Sequence, residues 1–159
     1  MGTYRISRSI EASLIDWLTE ELDDAGWVGI RVEKAFAEIY KGTLPAICVN
    51  ALEIRPEHLE VGSKTYLKYF TVNIRIFATS DGNRLDLADF ILDLLEDDIN
   101  YYTYTITNGE VASKVITGRI VLTGWFEDRK ELTNTLNTEL EKEDRYRHLL
   151  SMECIVAEV

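Results

Sequence analysis

Three aspartates, Asp86, Asp89 and Asp93, recur at intervals of three and four residues. On a helix that spacing stacks them along one face. Carboxylates so grouped suit a divalent cation or an acid–base pair, provided other elements add ligands. No His or Lys lies near them in sequence, and only Arg84 is close enough to relieve their repulsion. A solvated helix face is therefore the expectation, with no metal and no cofactor. Two histidines, His58 and His148, fall in a polar loop and at the start of a strand, and neither has HExxH or HxH spacing. No GxSxG, phosphate-binding loop or GxGxxG occurs, so hydrolase, nucleotide-binding and dinucleotide-binding readings lack their signals. Cys48 and Cys154 lie far apart inside apolar stretches with no CxxC. That placement fits small buried hydrophobes better than a zinc site or a disulfide. No enzymatic activity is expected.

Residue types that bind surfaces are more plentiful. Tyr66, Tyr69, Phe70 and Phe77 cluster on one segment, and Tyr101, Tyr102 and Tyr104 on another. Cross-strand packing accounts for such clusters. Exposed tyrosines also anchor subunit contacts. Lys64 and Lys68 set positive charge beside Tyr66 and Tyr69 on a strongly acidic chain. Asn108-Gly109 separates two strand-like runs, the pattern of a type I′ turn in which both central residues need positive φ. This hairpin and the polar loop at 56–64 are the expected contact elements, since binding residues concentrate on loops held by a rigid scaffold. The acidic helix of a neighbouring copy, residues 86–98, is the expected complement of Lys64 and Lys68.

The elements that must position these residues follow from periodicity. Ile10, Leu14, Trp17, Leu18 and Leu22 predict a first helix, capped by Ser7 or Ser9 and stopping at Ala25-Gly26. Strands are expected around 28–32, 46–54 and 66–79, the last with strict apolar alternation at Phe70, Val72, Ile74, Ile76 and Ala78. Residues 80–83 cap a second helix over about 84–99, burying Leu85, Ala88, Ile91, Leu92, Leu95 and Ile99. The hairpin then spans 101–107 and 110–126, with bulges or bends at Gly118 and Gly124. Leu132, Leu136 and Leu140 hint at a short helix, a charged run occupies 139–144, and a last strand covers about 146–156. The expected fold is a single α+β domain over 1–159, a mostly antiparallel sheet with two main helices on one face and a β-hairpin.

Composition bounds the partners. A net charge of −11 argues against a general nucleic-acid binder, which needs a basic face to displace counterions from phosphates. Such a surface lets DNA slide past without sticking. The first 24 residues hold no unbroken apolar core of a secretory signal, and nowhere do 18 apolar residues run together. No membrane contact is expected, and a soluble protein of a reducing compartment is the default.

The order of segments resembles the tail terminator proteins of long-tailed bacteriophages. The resemblance is carried by the amphipathic first helix, the strand pair around LPAICVN, and YLKYFTVNIRIFATSDGNRLDLADFILDLLEDDI, where a strand runs directly into a helix. The closing DRYRHLLSMECIVAEV, with Arg145 and Arg147 before a final strand, matches too. It covers most of the chain in pattern and size, without a diagnostic motif, and sibling neck and tail-completion proteins share much of it. It implies a tail-tube-like fold and a hexameric ring of identical subunits at the head-proximal end of the tail tube. It also implies a virion location, with the tail tube protein and the head-completion connector as partners and DNA passing through the lumen unbound. The family has no catalytic residue to carry over. Two other classes stay open: a small-ligand-binding or regulatory α+β domain, and a metal-dependent hydrolase on the acidic helix face.

Overall fold

A computed structural model describes residues 2–3, 5–34, 39, 42–58, 66–131 and 146–158. Its elements are β1 (Gly2–Thr3), α1 (Ile6–Asp24), β2 (Arg31–Glu33), β3 (Ala46–His58), β4 (Tyr66–Phe77), α2 (Asp81–Leu94), β5 (Ile99–Thr107), β6 (Glu110–Glu131) and β7 (Arg147–Glu158). The seven strands form one sheet in the order β1-β5-β6-β7-β4-β3-β2. Every pairing is antiparallel except β2 with β3. The apolar residues of both helices join one buried cluster with Val72, Ile74 and Ile76 of β4 and Leu150, Met152 and Cys154 of β7. Both helices therefore cover the same face, and the fold is the α+β domain expected from the sequence.

Helix α1 buries Ile10, Leu14, Leu18 and Leu22, whose four-residue spacing keeps them on one stripe. Arg5 is its N-cap and makes no side-chain cap bond, so the helix starts before the expected serine caps. Its end is where periodicity placed it. Gly26 adopts φ +84, its N–H donates to the Asp23 carbonyl, and the Trp27 N–H donates to that of Leu22. This is a Schellman stop, and it needs the left-handed conformation that glycine adopts without steric cost. Helix α1 also seals strand edges. Glu11 Oε2 accepts the Ala51 N–H of β3 at 3.1 Å, and Ser13 Oγ accepts the Tyr102 N–H of β5 at 3.0 Å. Those strands lie near opposite ends of the strand order, so the sheet curls toward the helix.

Several boundaries differ from expectation for identifiable reasons. Strand β2 is only three residues long and pairs with Ala46, Ile47 and Cys48. Strand β3 runs on through Pro56 to His58, which places His58 in a strand. Past Cys48 the described residues give β3 a partner on one side only, an edge where a missing N–H is tolerated. In α2, Ser80 Oγ accepts the Asn83 N–H, and Asn83 Oδ1 accepts the Thr79 N–H, a reciprocal cap that starts the helix at Asp81. The helix ends at Leu94, and Ile99 opens β5. Arg84, Leu87, Ala88 and Ile91 form its buried stripe, continued by Leu95, while Leu85 is 48% exposed. Positions 84, 87, 88, 91 and 95 share one helical face, and 85 lies a hundred degrees off it.

The Asn108-Gly109 turn has φ of 54° and 82°, as a type I′ hairpin requires. Four register slips fall on β6, leaving Ala112, Thr117, Thr123 and Phe126 as the extra residues. Two of them directly precede the glycines read as bulge markers, Gly118 and Gly124. The helix expected near Leu132, Leu136 and Leu140 and the charged run at 139–144 lie outside the described residues.

Candidate functional site

Strand β6 is shared between two ladders. It pairs with β5 from Glu110 to Ile120 and with β7 from Gly118 to Glu131. Among the described residues, 110–117 thus have a strand on the β5 side alone, and the hairpin continues as an arm past the β7 ladder. Helix α1 braces it. The Tyr104 hydroxyl donates to Asp16 Oδ2 at 2.7 Å, and Lys114 Nζ reaches the same oxygen at 3.4 Å and Glu20 at 3.7 Å. Lys114 also sits 4.6 Å over the Tyr102 ring. Burial, reinforced by the Asp16 carboxylate, pushes the Tyr104 phenol well above its ordinary value. For Lys114, burial opposes the charged form, but the charge and hydrogen bond of Asp16 outweigh it and the ammonium rises. Val111, Val115 and Ile116 of the arm stay exposed, at 49%, 61% and 54%.

The residues singled out from sequence scatter over the fold. Asn108 and Gly109 are exposed at the arm's tip. Tyr69 is half-buried in β4, and Tyr66 and Lys68 pair there with His58 and Pro56. Lys64 lies outside the described residues. Asp86, Asp89 and Asp93 are exposed along α2, and no ion pair among the described residues engages them. Arg84 does not serve that stripe, because it turns inward. Tyr101 and Tyr104, at 6% and 2% exposure, belong to the core rather than to a surface.

What the sequence reading missed is a polar chain at the start of α2. Arg84 Nη1 lies 2.6 Å from Nδ1 of His148, and Nε2 of that ring lies 2.6 Å from Asp128 Oδ1. Arg84 Nε donates to Asp81 Oδ1 at 3.2 Å, and Lys130 Nζ donates to the same oxygen at 3.0 Å. The hydrogen bonds from Lys130 and Arg84 hold the Asp81 carboxyl below its ordinary value. A guanidinium only donates, so Nδ1 of His148 accepts and Nε2 carries the proton that Asp128 receives. The Asp–His half of a nucleophile relay is present, but its outer nitrogen is occupied by a donor with no nucleophilic atom. The missed signal was the period-two pattern of β7, which puts His148 on the same face as Leu150 and Met152.

Two cavities lined by described residues bear on ligand binding. One, of about 10 Å³, is lined by Leu14, Val72, Leu95 and Met152 among others, room for a single water-sized sphere. The other, of about 150 Å³, lies between α1 and the α2–β5 connection, where Trp17 and Tyr102 meet Glu20, Glu21, Asp97 and Asp98. Both fall below the size usual for a small-molecule site. Burial pushes the Cys48 thiol up to about 11 and the Cys154 thiol up to about 12, which keeps both protonated and unreactive. No described helix is long and apolar enough to cross a membrane. Neither a protein-family model nor a curated protein matches the chain.

Proposed function

We propose that this chain is a structural subunit of a phage tail, a terminator whose copies close into a hexameric ring on the head-proximal end of the tail tube. The observation that carries the reading is the braced β5–β6 arm, which presents Val111, Val115 and Ile116 to solvent beyond the β7 ladder. Apolar side chains displayed on a rigid projecting ribbon suit contact with another subunit. Identical subunits that meet through two different surfaces close into a ring when the rotation fits. The segment order that resembles tail terminators supports the same reading, as does an acidic surface that does not hold phosphates. On this reading the ring stops tube polymerisation, docks the head-completion connector and lets DNA pass through its lumen, within the virion. Other neck or tail-completion proteins would use the arm in the same way.

The test is the solution mass of the chain alone and with tail tube protein, alongside negative-stain images. Particles near six times the 18.2 kDa subunit mass with six-fold views are expected. A variant combining Val115→Glu and Ile116→Glu changes two exposed positions, so it should fold and fail to assemble. Wild-type chain that stays monomeric in both settings, or a variant that assembles equally well, overturns the proposal.

A further inference from the structure

We infer that Arg84, His148 and Asp128 form a proton-operated latch that fastens the first turn of α2 to the β6–β7 ladder. His148 is 5% exposed, and its two ring nitrogens are both engaged, by a residue of α2 on one side and of β6 on the other. Among the described residues, each element packed around the imidazole contributes as follows. Helix α2 contributes Arg84, with Asp81 behind it, and β6 contributes Asp128 and Lys130. Strand β4 contributes apolar Ile76, the residue paired with His148 in the ladder. On β7 itself, Arg147 is directed to Glu131 and the Phe77 ring, and just before the strand Tyr146 lies under Lys130.

The donor pattern makes this chain one-way. In the neutral ring, the Nδ1 lone pair receives the Arg84 N–H and the Nε2–H goes to Asp128. A proton taken from solvent onto Nδ1 removes the lone pair and sets two cations at the same contact. The Asp128 contact survives, because an imidazolium still donates from Nε2. Only the α2 side is broken. Arg84 then retains Asp81, a residue of its own helix. Among the described side chains, the exposed Lys130–Asp81 ion pair is what still ties the first turn of α2 to the sheet, a class of contact that contributes little. The apolar contacts of Leu87, Ala88 and Ile91 farther along keep the rest of the helix in place. The outcome is local release, not unfolding. It exposes the start of α2 and shifts the helix that carries Asp86, Asp89 and Asp93. This device is independent of what the chain assembles with.

The chain has two histidines, so nitrogen-detected NMR of the full chain resolves His148 once His58→Gln identifies the other. Between pH 8 and 5, the tautomer of His148 and the exchange protection of amides 83–87 are followed together. The expected result is an Nε2–H ring at high pH, then a fall of at least ten-fold in protection whose midpoint coincides with the His148 titration. His148→Gln can accept from Arg84 and donate to Asp128 but cannot titrate, so its protection should be flat over this range. Arg84→Met removes the opposed cation and should abolish the pH response as well, which serves if the glutamine variant does not fold. An Nδ1–H ring at pH 8, protection that ignores the His148 titration, or an unchanged pH response in either variant overturns the latch.

Discussion

Replacing Tyr104 by phenylalanine removes one oxygen from the brace between α1 and the hairpin arm. The ring is 2% exposed and its apolar packing is conserved by the change, so the hydroxyl alone is tested. That hydroxyl donates to an ionised acceptor at 2.7 Å, a class worth about 1.5–3 kcal/mol. Asp16 is 37% exposed and keeps Lys114 at 3.4 Å, so water and the ammonium recover part of the loss. The expected net cost is about 1–2 kcal/mol, which for a domain of this size lowers Tm by roughly 2–8 °C. The phenol's folded pKa is raised above its unfolded value, so the contribution is fully present below pH ~10 and is lost only as pH rises through the folded pKa. The difference between wild type and variant should therefore be constant from pH 6 to 9, where thermal melts are easily run. Combining Tyr104→Phe with Asp16→Asn in a double-mutant cycle isolates the pair, with an expected coupling on the order of 1 kcal/mol. Thr103→Val is the internal comparison, because its hydroxyl meets the neutral hydroxyl of Thr117 at 2.8 Å on the same ribbon and should cost less. Additive single-site effects, or a Tm unchanged within a degree, would show that the brace does not hold the arm.

Three further outcomes follow from the packing. Ser80→Ala removes the acceptor of the Asn83 N–H and should cost about 1 kcal/mol in melting experiments; no change would refute the reciprocal cap. Leu18→Ala empties a fully buried site where α1 meets the core and should cost about 2–5 kcal/mol by urea titration; a loss under 1 would mean the site collapses freely. Cys48 and Cys154, both buried with raised thiols, should resist a thiol reagent at pH 8 until denaturant is added, and prompt labelling of either in the native protein would contradict their burial.

Much of the fold was legible because two periodicities are unusually clean. Ile10, Leu14, Leu18 and Leu22 read as a helix face, and Phe70, Val72, Ile74 and Ile76 as a strand face, and both are buried as read. The Asn108-Gly109 turn was legible from two residues, since few other pairs accept two positive φ values. The face of α2 was harder. Arg84 counts as polar in any periodicity, yet it turns inward because His148, distant in sequence, supplies a buried acceptor. Leu85 counts as apolar and is left outside. Strand β2 has three residues and a parallel partner, too little for any pattern to register. The strand expected to end at 54 continues through Pro56 because, among the described residues, β3 has a strand on one side only there, a tertiary fact. The same holds for the candidate site: the hairpin could be named from sequence, but its bracing by Asp16 joins residues nearly ninety positions apart.

The sharing of β6 between two ladders has a mechanical consequence. Among the described residues of β6, only Gly118, Arg119 and Ile120 have strand partners on both sides, so these three are the fulcrum of a lever whose tip is Gly109. Nine residues of extended chain make that lever about 30 Å long, and a tilt of about 10° carries the tip through about 5 Å. The bulge at Thr117 lies at the fulcrum itself, where an extra residue increases local twist and bends the strand. Tyr104 and Lys114 grip the lever near mid-length, so α1 sets its resting angle. A single hydrogen bond to a carboxylate thus bears on the position of a tip several residues away, and the reach of the tip is tunable without altering a single residue at the tip.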